Sequence, residues 1–357
     1  MILAAALLAI QTPAYTVQPI ITDTPYFLAE CYALNDESQV TYSVDLGDYG
    51  PTLGFVWKDG TSTEIVAPPG NPSETVAVGP IGINNDGTVI GIINRTIYRS
   101  ISTWEGFSWT AASGTTKLMC GEYQFDPISI NNNGDILGNA PNIGDDSNPL
   151  RLGILRSSHE FTPLLDYNQN KLTVPSLNDH DELAGIQSYN GYGHAFRILP
   201  GTQAIDVLEM PPHIDHPIEP WKNATSVVTA VNNGGWACGF VNMKTTGQPS
   251  ADEIGAVWSP DNSFSSLGAG YKAWDINDHG VVVGSQVMGV ARGHGRYSLF
   301  EAYGFVYDSA NGLRLLNTLV PIGTPLLGKA LAINNKGEIL CRAQANENDW
   351  YLLKPAH

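Results

Sequence analysis

Basic residues are scarce in this chain. Its 357 residues hold 18 Lys and Arg against 35 Asp and Glu, a net charge of −17. A surface this acidic repels phosphate backbones and anionic headgroups, which argues against nucleic-acid binding and against docking on anionic lipid. Long apolar runs are lacking too. Past the extreme N-terminus nothing approaches the roughly 20 apolar residues that a membrane span requires, so membrane insertion is not expected. Cysteine is rare: Cys31, Cys120, Cys238 and Cys341 show no Cys-x-x-Cys spacing, which indicates neither a zinc ribbon nor a redox motif. No Gly-x-Ser-x-Gly elbow, phosphate-binding loop, His-Glu-x-x-His helix or dinucleotide fingerprint occurs. Those absences weaken the case for an enzyme without deciding it.

Turn formers are abundant instead, with 37 Gly and 23 Pro in a chain that is 43% hydrophobic and only 15% charged. That mix predicts a globular all-β fold of many short strands. The first residues stand apart. Met1 to Ile10 are apolar, and Gln11-Thr12-Pro13-Ala14 supplies a small-residue exit, so residues 1–14 read as a signal peptide cleaved after Ala14. No Lys or Arg precedes the apolar stretch, and the alternative is a buried strand. The expected product is a single domain, 15–357, secreted to the extracellular space or the periplasm.

One pattern recurs seven times: an apolar residue, Asn, a polar or Gly turn, then an apolar strand. Its copies begin Leu34-Asn35, Ile83-Asn84, Ile130-Asn131, Leu177-Asn178, Val231-Asn232, Ile276-Asn277 and Ile333-Asn334. Asn, Asp and Gly tolerate the left-handed backbone of a tight hairpin turn, and the flanking Ile, Val and Leu supply strands. These turns lack the Asp ladder and terminal Glu of an EF-hand, so they read as turns and not as calcium loops. Each turn is followed by a small residue leading an aromatic strand, as in Gly54-Phe55-Val56-Trp57 and Gly304-Phe305-Val306-Tyr307, and then by a fourth strand. Four antiparallel strands make one propeller blade. The signature Asn residues lie 49, 47, 47, 54, 45 and 57 apart, and the 343 residues of 15–357 make seven units of 49. The expected fold is a seven-bladed β-propeller. After Ile333 only three strands remain, so Thr16 to Ile20 is expected to complete the last blade beside Trp350 to Leu353 and close the ring. In such a ring Cys31 and Cys341 fall on neighbouring blades. They either form a disulfide or pack as small buried hydrophobes.

The Ile-Asn-Asn-x-Gly-x-Val-x-Gly signature, with a blade strand such as His194-Ala195-Phe196, resembles the HAF-type extracellular repeat family of bacteria. The resemblance covers nearly all of 15–357. Its copies are degenerate: one carries His-Ala-Phe, and the first lacks the turn Gly. It implies export and a propeller-like fold, and it carries over no catalytic residue.

Short repetitive turns fill one face of such a ring, and long irregular loops fill the other, so function is expected on the loop face. The blade 6 loop holds Arg292, His294, Arg296 and Tyr297, a basic-aromatic island in an acidic chain. Arg binds carboxylates through two bonds, and Tyr or His can take a proton, which would suit a lyase acting beside a uronic acid carboxylate. Tyr189, Tyr192 and His194 in blade 4, Arg99 and Trp104 in blade 2, and Trp221 after blade 4 are candidate sugar-binding groups; aromatics also simply pack between blades. His213 and His216 lie in a Pro-rich loop with carboxylates, which makes a bound divalent cation conceivable, although their spacing matches no recognised metal motif. No other cofactor is expected. The leading expectation is an exported, non-catalytic, monomeric module that binds an extracellular polysaccharide or a cell-surface protein. The alternative is a polysaccharide-degrading enzyme, a lyase before a hydrolase.

Overall fold

The computed structural model describes residues 13–22, 28–47, 50–97, 101–141, 150–164, 171–189, 192–202, 204–208, 224–243, 253–292 and 296–356. Among the described residues every element is a β-strand apart from one 3-10 turn, Leu316–Thr318. Apart from a two-stranded hairpin, Met119–Cys120 with Tyr123–Gln124, the strands form antiparallel four-stranded units, numbered here 1 to 7. Units 1 (28–65) and 2 (74–117) join into one eight-stranded sheet through a single parallel pair, Thr52 with Ala77. Units 3 (126–163), 4 (171–207), 5 (224–269) and 6 (271–315) are separate four-stranded sheets. Unit 7 takes three strands from 327–355, and Tyr15–Ile21 pairs antiparallel with Trp350–Pro355 as its fourth, with Val17 opposite Leu353. The backbone of Ala14 joins this end: its N–H donates to the Leu319 carbonyl, and its carbonyl accepts from Ala356 N–H, both at 2.8 Å.

The signature turn is built by its Asn. Asn334 Oδ1 accepts the N–H groups of Lys336 at 3.1 Å and Glu338 at 2.9 Å, which folds the chain back on itself. The residue three after the Asn is left-handed, and glycine usually supplies it, as at Gly337 (φ 75°). Two copies lack that glycine, and there Ser38 (φ 60°) and Asp181 (φ 65°) adopt the same backbone at some steric cost. The last glycine of the signature answers a different need. A Cβ on Gly284 would collide with the Lys272 carbonyl and the Phe305 ring, because each first strand carries a bulge and presses on the second there.

The same Asn also ties units together. Its Nδ2 donates to the carbonyl of the signature Asn in the next unit: Asn35 to Asn84 at 2.8 Å, Asn84 to Asn131 at 3.4 Å, Asn131 to Asn178 at 3.1 Å. The series continues Asn178 to Asn232 at 2.8 Å, Asn232 to Asn277 at 2.8 Å, Asn277 to Asn334 at 3.0 Å, and returns from Asn334 to Asn35 at 3.0 Å. A second circuit runs through the following residue. Each of Asp36, Asn85, Asn132, Asp179, Asn233, Asp278 and Asn335 receives on its side-chain oxygen the N–H of its counterpart one unit back.

The apolar core follows the same order. Each of seven buried clusters bridges two neighbouring units, such as Val56, Ile65, Val78 and Phe107 between units 1 and 2. Ile21, Cys31, Val40, Leu340 and Trp350 form the cluster between units 7 and 1. No unit buries its own faces alone, so stability comes from stacking. All four cysteines carry free thiols and three of them are buried, so of the two readings Cys31 and Cys341 follow packing as small apolar groups and not a disulfide. Cys31 faces unit 7 in one cluster and Cys341 faces unit 6 in another, as small apolar groups.

Candidate functional site

The signature turns gather around one axis, where a polar cavity of about 180 Å³ is lined by the signature Asn residues, their successors and the apolar residues before them. The strand before each turn is therefore the inner strand of its unit. Successive side chains on a strand alternate faces, and the inner strands show it seven times. The residue four before the Asn is buried between units in every copy: Cys31, Pro80, Pro127, Val174, Val228, Ala273 and Ala330. The residue five before it is partly or fully exposed in every copy: Glu30, Gly79, Asp126, Thr173, Val227, Lys272 and Lys329. These residues lie on the inner strands away from the turns, toward the second-to-third strand loops and the links between units. They form a rim at the loop end of the axis.

Charge on this rim is divided. Glu30 and Asp126 come from units 1 and 3, Lys272 and Lys329 from units 6 and 7. Burial raises the Asp126 carboxyl above its usual range, and a side-chain bond from Asn139 opposes that shift. Lys272 Nζ lies 3.3 Å from Glu253 Oε1, which also accepts from Asn242 Nδ2 at 3.0 Å, and it stands 4.5 Å from the centre of the Phe240 ring. Lys329 Nζ stands 4.1 Å from the centre of the Trp274 ring. Phe240 and Trp274 meet edge to face at 6.0 Å, and Trp274 Nε1 donates to Ser285 Oγ at 2.8 Å. Arg342 lies directly across the strand pair from Lys329, and so on the same face. Two lysines in an acidic protein are thus held on aromatic rings by cation–π contacts, and Arg342 beside them pairs with Glu347 at 3.9 Å.

Just behind this rim, the Asp275 carboxylate accepts the N–H of Ile333 in unit 7 at 2.9 Å and that of Ile276 at 2.8 Å. Burial nevertheless pushes its carboxyl up to about 7, against those two bonds.

The residues singled out in the sequence fall on three different sheets. In unit 6 the second and third strands, Val282–Arg292 and Arg296–Asp308, extend as a long hairpin that outruns its inner strand, Tyr271–Ile276. Arg292 pairs with Arg296 across it, and Ala291 with Tyr297, which brings Arg292, Arg296 and Tyr297 to one tip; His294 lies outside the described residues. In unit 4 Tyr189 pairs with Tyr192 at the loop end of the second hairpin, and His194 pairs with Gln187 below them. His194 is half-buried, and burial lowers its affinity for a proton. Trp104 in unit 2 sits opposite Asn94 with 41% of its surface exposed. Its neighbour Arg95 is buried and committed, donating to the Pro68 carbonyl at 2.6 Å and pairing with Glu74 at 3.4 Å. Arg99, His213, His216 and Trp221 lie outside the described residues. Among the described residues no group of three His, Cys, Asp or Glu side chains is placed to hold a metal ion.

The rim residues Lys272, Lys329 and Trp274 were not among the sequence candidates. The signal was present: stacking the seven copies on their Asn and reading the fifth column back isolates both lysines.

No family model and no curated protein matches the sequence. Solved structures do match. An oligogalacturonate lyase in complex with manganese superposes with a TM-score of 0.56 at 10% identity, over 97% of this chain and 98% of that one. An oligogalacturonate lyase from Vibrio parahaemolyticus gives 0.55 at 8% identity, over 96% and 97%. A puromycin hydrolase mutant gives 0.50 at 11% identity, over 85% of this chain but 47% of that one, so the chain spans about half of that enzyme. At such identities the likeness is one of fold alone, that of a β-propeller.

Proposed function

We propose that the chain is an exported, closed, seven-bladed propeller whose loop end binds an extracellular glycan without turning it over. Closure is supported by the return bonds from Asn334 to Asn35 and by the apolar cluster between units 7 and 1. Export rests on the apolar leader and on the resemblance of the repeats to the HAF-type family. The protein acts as a monomer, its sheet edges stacked within one ring.

The observation that carries the binding reading is the contrast between the ends of the axis. At the turn end the Asn and Asp groups are spent on each other in two continuous hydrogen-bonded circuits. At the loop end Trp104 and the rim with Trp274 and Phe240 offer partly exposed rings and charges to a partner. Such amphipathic aromatics stack on sugar rings, while polar neighbours fix orientation. A glycan array with the purified chain tests this. Retention of a defined glycan class supports it, and turnover of any bound polymer overturns the non-catalytic part. Pull-downs from a cell surface decide between a glycan and a protein partner.

A second reading, a lyase of acidic polysaccharide, is favoured by one observation: the unit 6 hairpin brings Arg292 opposite Arg296 at its tip, with Tyr297 the next residue of the strand. Two of the fold's neighbours bear that activity in their names. In this reading Arg neutralises the uronate carboxylate, and Tyr297 or His294 takes the proton. New absorbance from unsaturated products, lost in Tyr297→Phe and His294→Ala, is its signature. A metal-dependent role would rest on His213 and His216, and elemental analysis of the purified protein tests it.

A further inference from the structure

We propose that the loop-end rim is an anion-selective site, in which Lys272 and Lys329, with Arg342 behind them, hold the carboxylate of an acidic sugar residue. This inference rests on the glycan-binding reading above and names the class of glycan and the groups that select it.

Three observations converge. First, the basic groups are concentrated. The chain has only 18 Lys and Arg against 35 acidic residues, yet of the four charged rim positions the two in the adjacent units 6 and 7 are both lysine. Arg342 shares the face of Lys329 across one strand pair.

Second, the cations are held ready. An exposed lysine loses rotamer freedom when it binds, which costs affinity. Here Lys272 is fixed by Glu253 and the Phe240 ring, and Lys329 stands over Trp274. Glu253 is itself 3% exposed, and Asn242 orients its Oε1. The pair is a built-in support for the ammonium and not a chance surface contact. The indole is pinned in turn through Nε1 to Ser285.

Third, the remainder of the rim excludes the wrong sign. Glu30 and Asp126 occupy the same column in units 1 and 3, so a ligand carboxylate is repelled from that side and drawn to units 6 and 7. The aromatic pair beneath gives a sugar ring an apolar surface next to the cations. A simple inorganic anion would gain nothing from that surface, so the rim favours a glycan with a carboxylate.

The test compares unesterified oligogalacturonate with its methyl ester by titration calorimetry at low and high salt. The wild-type chain is expected to bind the acid form at least tenfold more tightly than the ester, and to lose most of that margin at high salt. Lys329→Gln should reduce binding of the acid form about tenfold and leave ester binding unchanged. Because Lys272→Ala would strand the Glu253 carboxylate, the paired change Lys272→Gln with Glu253→Gln is used, and circular dichroism confirms its fold. It should act as Lys329→Gln does. Asp126→Asn should keep or strengthen acid binding. If acid and ester bind equally and the lysine variants change nothing, this inference is overturned while glycan binding stands. If the folded protein binds neither form nor any glycan on an array, the proposed function falls with it.

Discussion

The two ends of the axis are made by the same seven strands, yet they follow opposite rules. At the turn end every unit presents nearly the same residues, and each polar group is answered by its counterpart one unit away. At the loop end the same column holds six residue types, with lysine alone repeated, and among the described residues no circuit joins them. The repeat thus fixes one end for cohesion and leaves the other free to vary. A residue's role is set by which end of the inner strand it occupies more than by its type: Asp278 at the turn end is bonded on both sides by Asn233 and Asn335, whereas Asp126 at the loop end is a rim charge.

The largest effect is expected from removing the strand that completes unit 7. Deleting residues 13–22 bares the Trp350–Pro355 edge and removes Ile21 from the cluster between units 7 and 1. Loss of the compact folded species, by aggregation or edge-to-edge pairing, is expected in size-exclusion chromatography. A monomer with unchanged melting would mean the units hold together without closure.

Next comes Arg197, 1% exposed near the turn end. It pairs with Glu182 at 3.1 Å and donates to the carbonyls of Gly235 at 3.1 Å and Pro260 at 3.2 Å in the next unit. Arg197→Ala leaves a buried carboxylate and bare carbonyls, and should cost about 3–5 kcal/mol in urea denaturation. Asn334→Ala removes one bond to the next unit and three within its own turn. At about 1 kcal/mol per neutral bond, more where a buried group is orphaned, a loss of about 3 kcal/mol is expected. A loss of only a few tenths would show that the circuits are decoration.

Asp275 gives a smaller, pH-dependent effect. Its carboxyl titrates near 7 in the folded chain and at the ordinary 3.8 when unfolded. The folded state therefore holds the proton more tightly. The stability this adds is present below about pH 4 and is lost as pH rises through 7. Asp275→Asn should flatten the decline in melting temperature between pH 5 and 8, and an unchanged profile would remove Asp275 as its source. Least of all, Trp104→Ala at the loop end should move stability by no more than about 0.5 kcal/mol, while weakening any glycan that stacks there.

Much of the fold was legible because its signals are local. An Asn followed by a left-handed residue makes a turn wherever it stands, and seven such turns at near-equal spacing imply seven units. Even the pairing of Thr16 to Ile20 with the last strand could be read, since unit 7 lacked a strand and the N-terminus had one to spare. What the Asn Nδ2 does could not be read, because its partner lies 45 to 57 residues away and nothing in the turn itself requires it. The cysteines left two readings open for a related reason. Neighbouring units suggested a bridge, but Cys31 and Cys341 turn their side chains into different interfaces. The rim was missed because charge was sought in loops, where Arg292 and Tyr297 stand out locally. Lys272 and Lys329 are 57 positions apart and adjoin only once the units stack.

The pairing of Tyr15–Ile21 with Trp350–Pro355 has a consequence for the order of assembly. Thr16 donates to the Lys354 carbonyl across 338 positions of sequence. Forming that contact first would mean closing the longest loop the chain can make, and the entropy lost grows with the logarithm of loop length. Once the intervening sheets have stacked, they deliver both termini to the same spot and the search disappears. The Tyr15–Ile21 strand is then the last to be seated, and the slowest refolding phase should report on it.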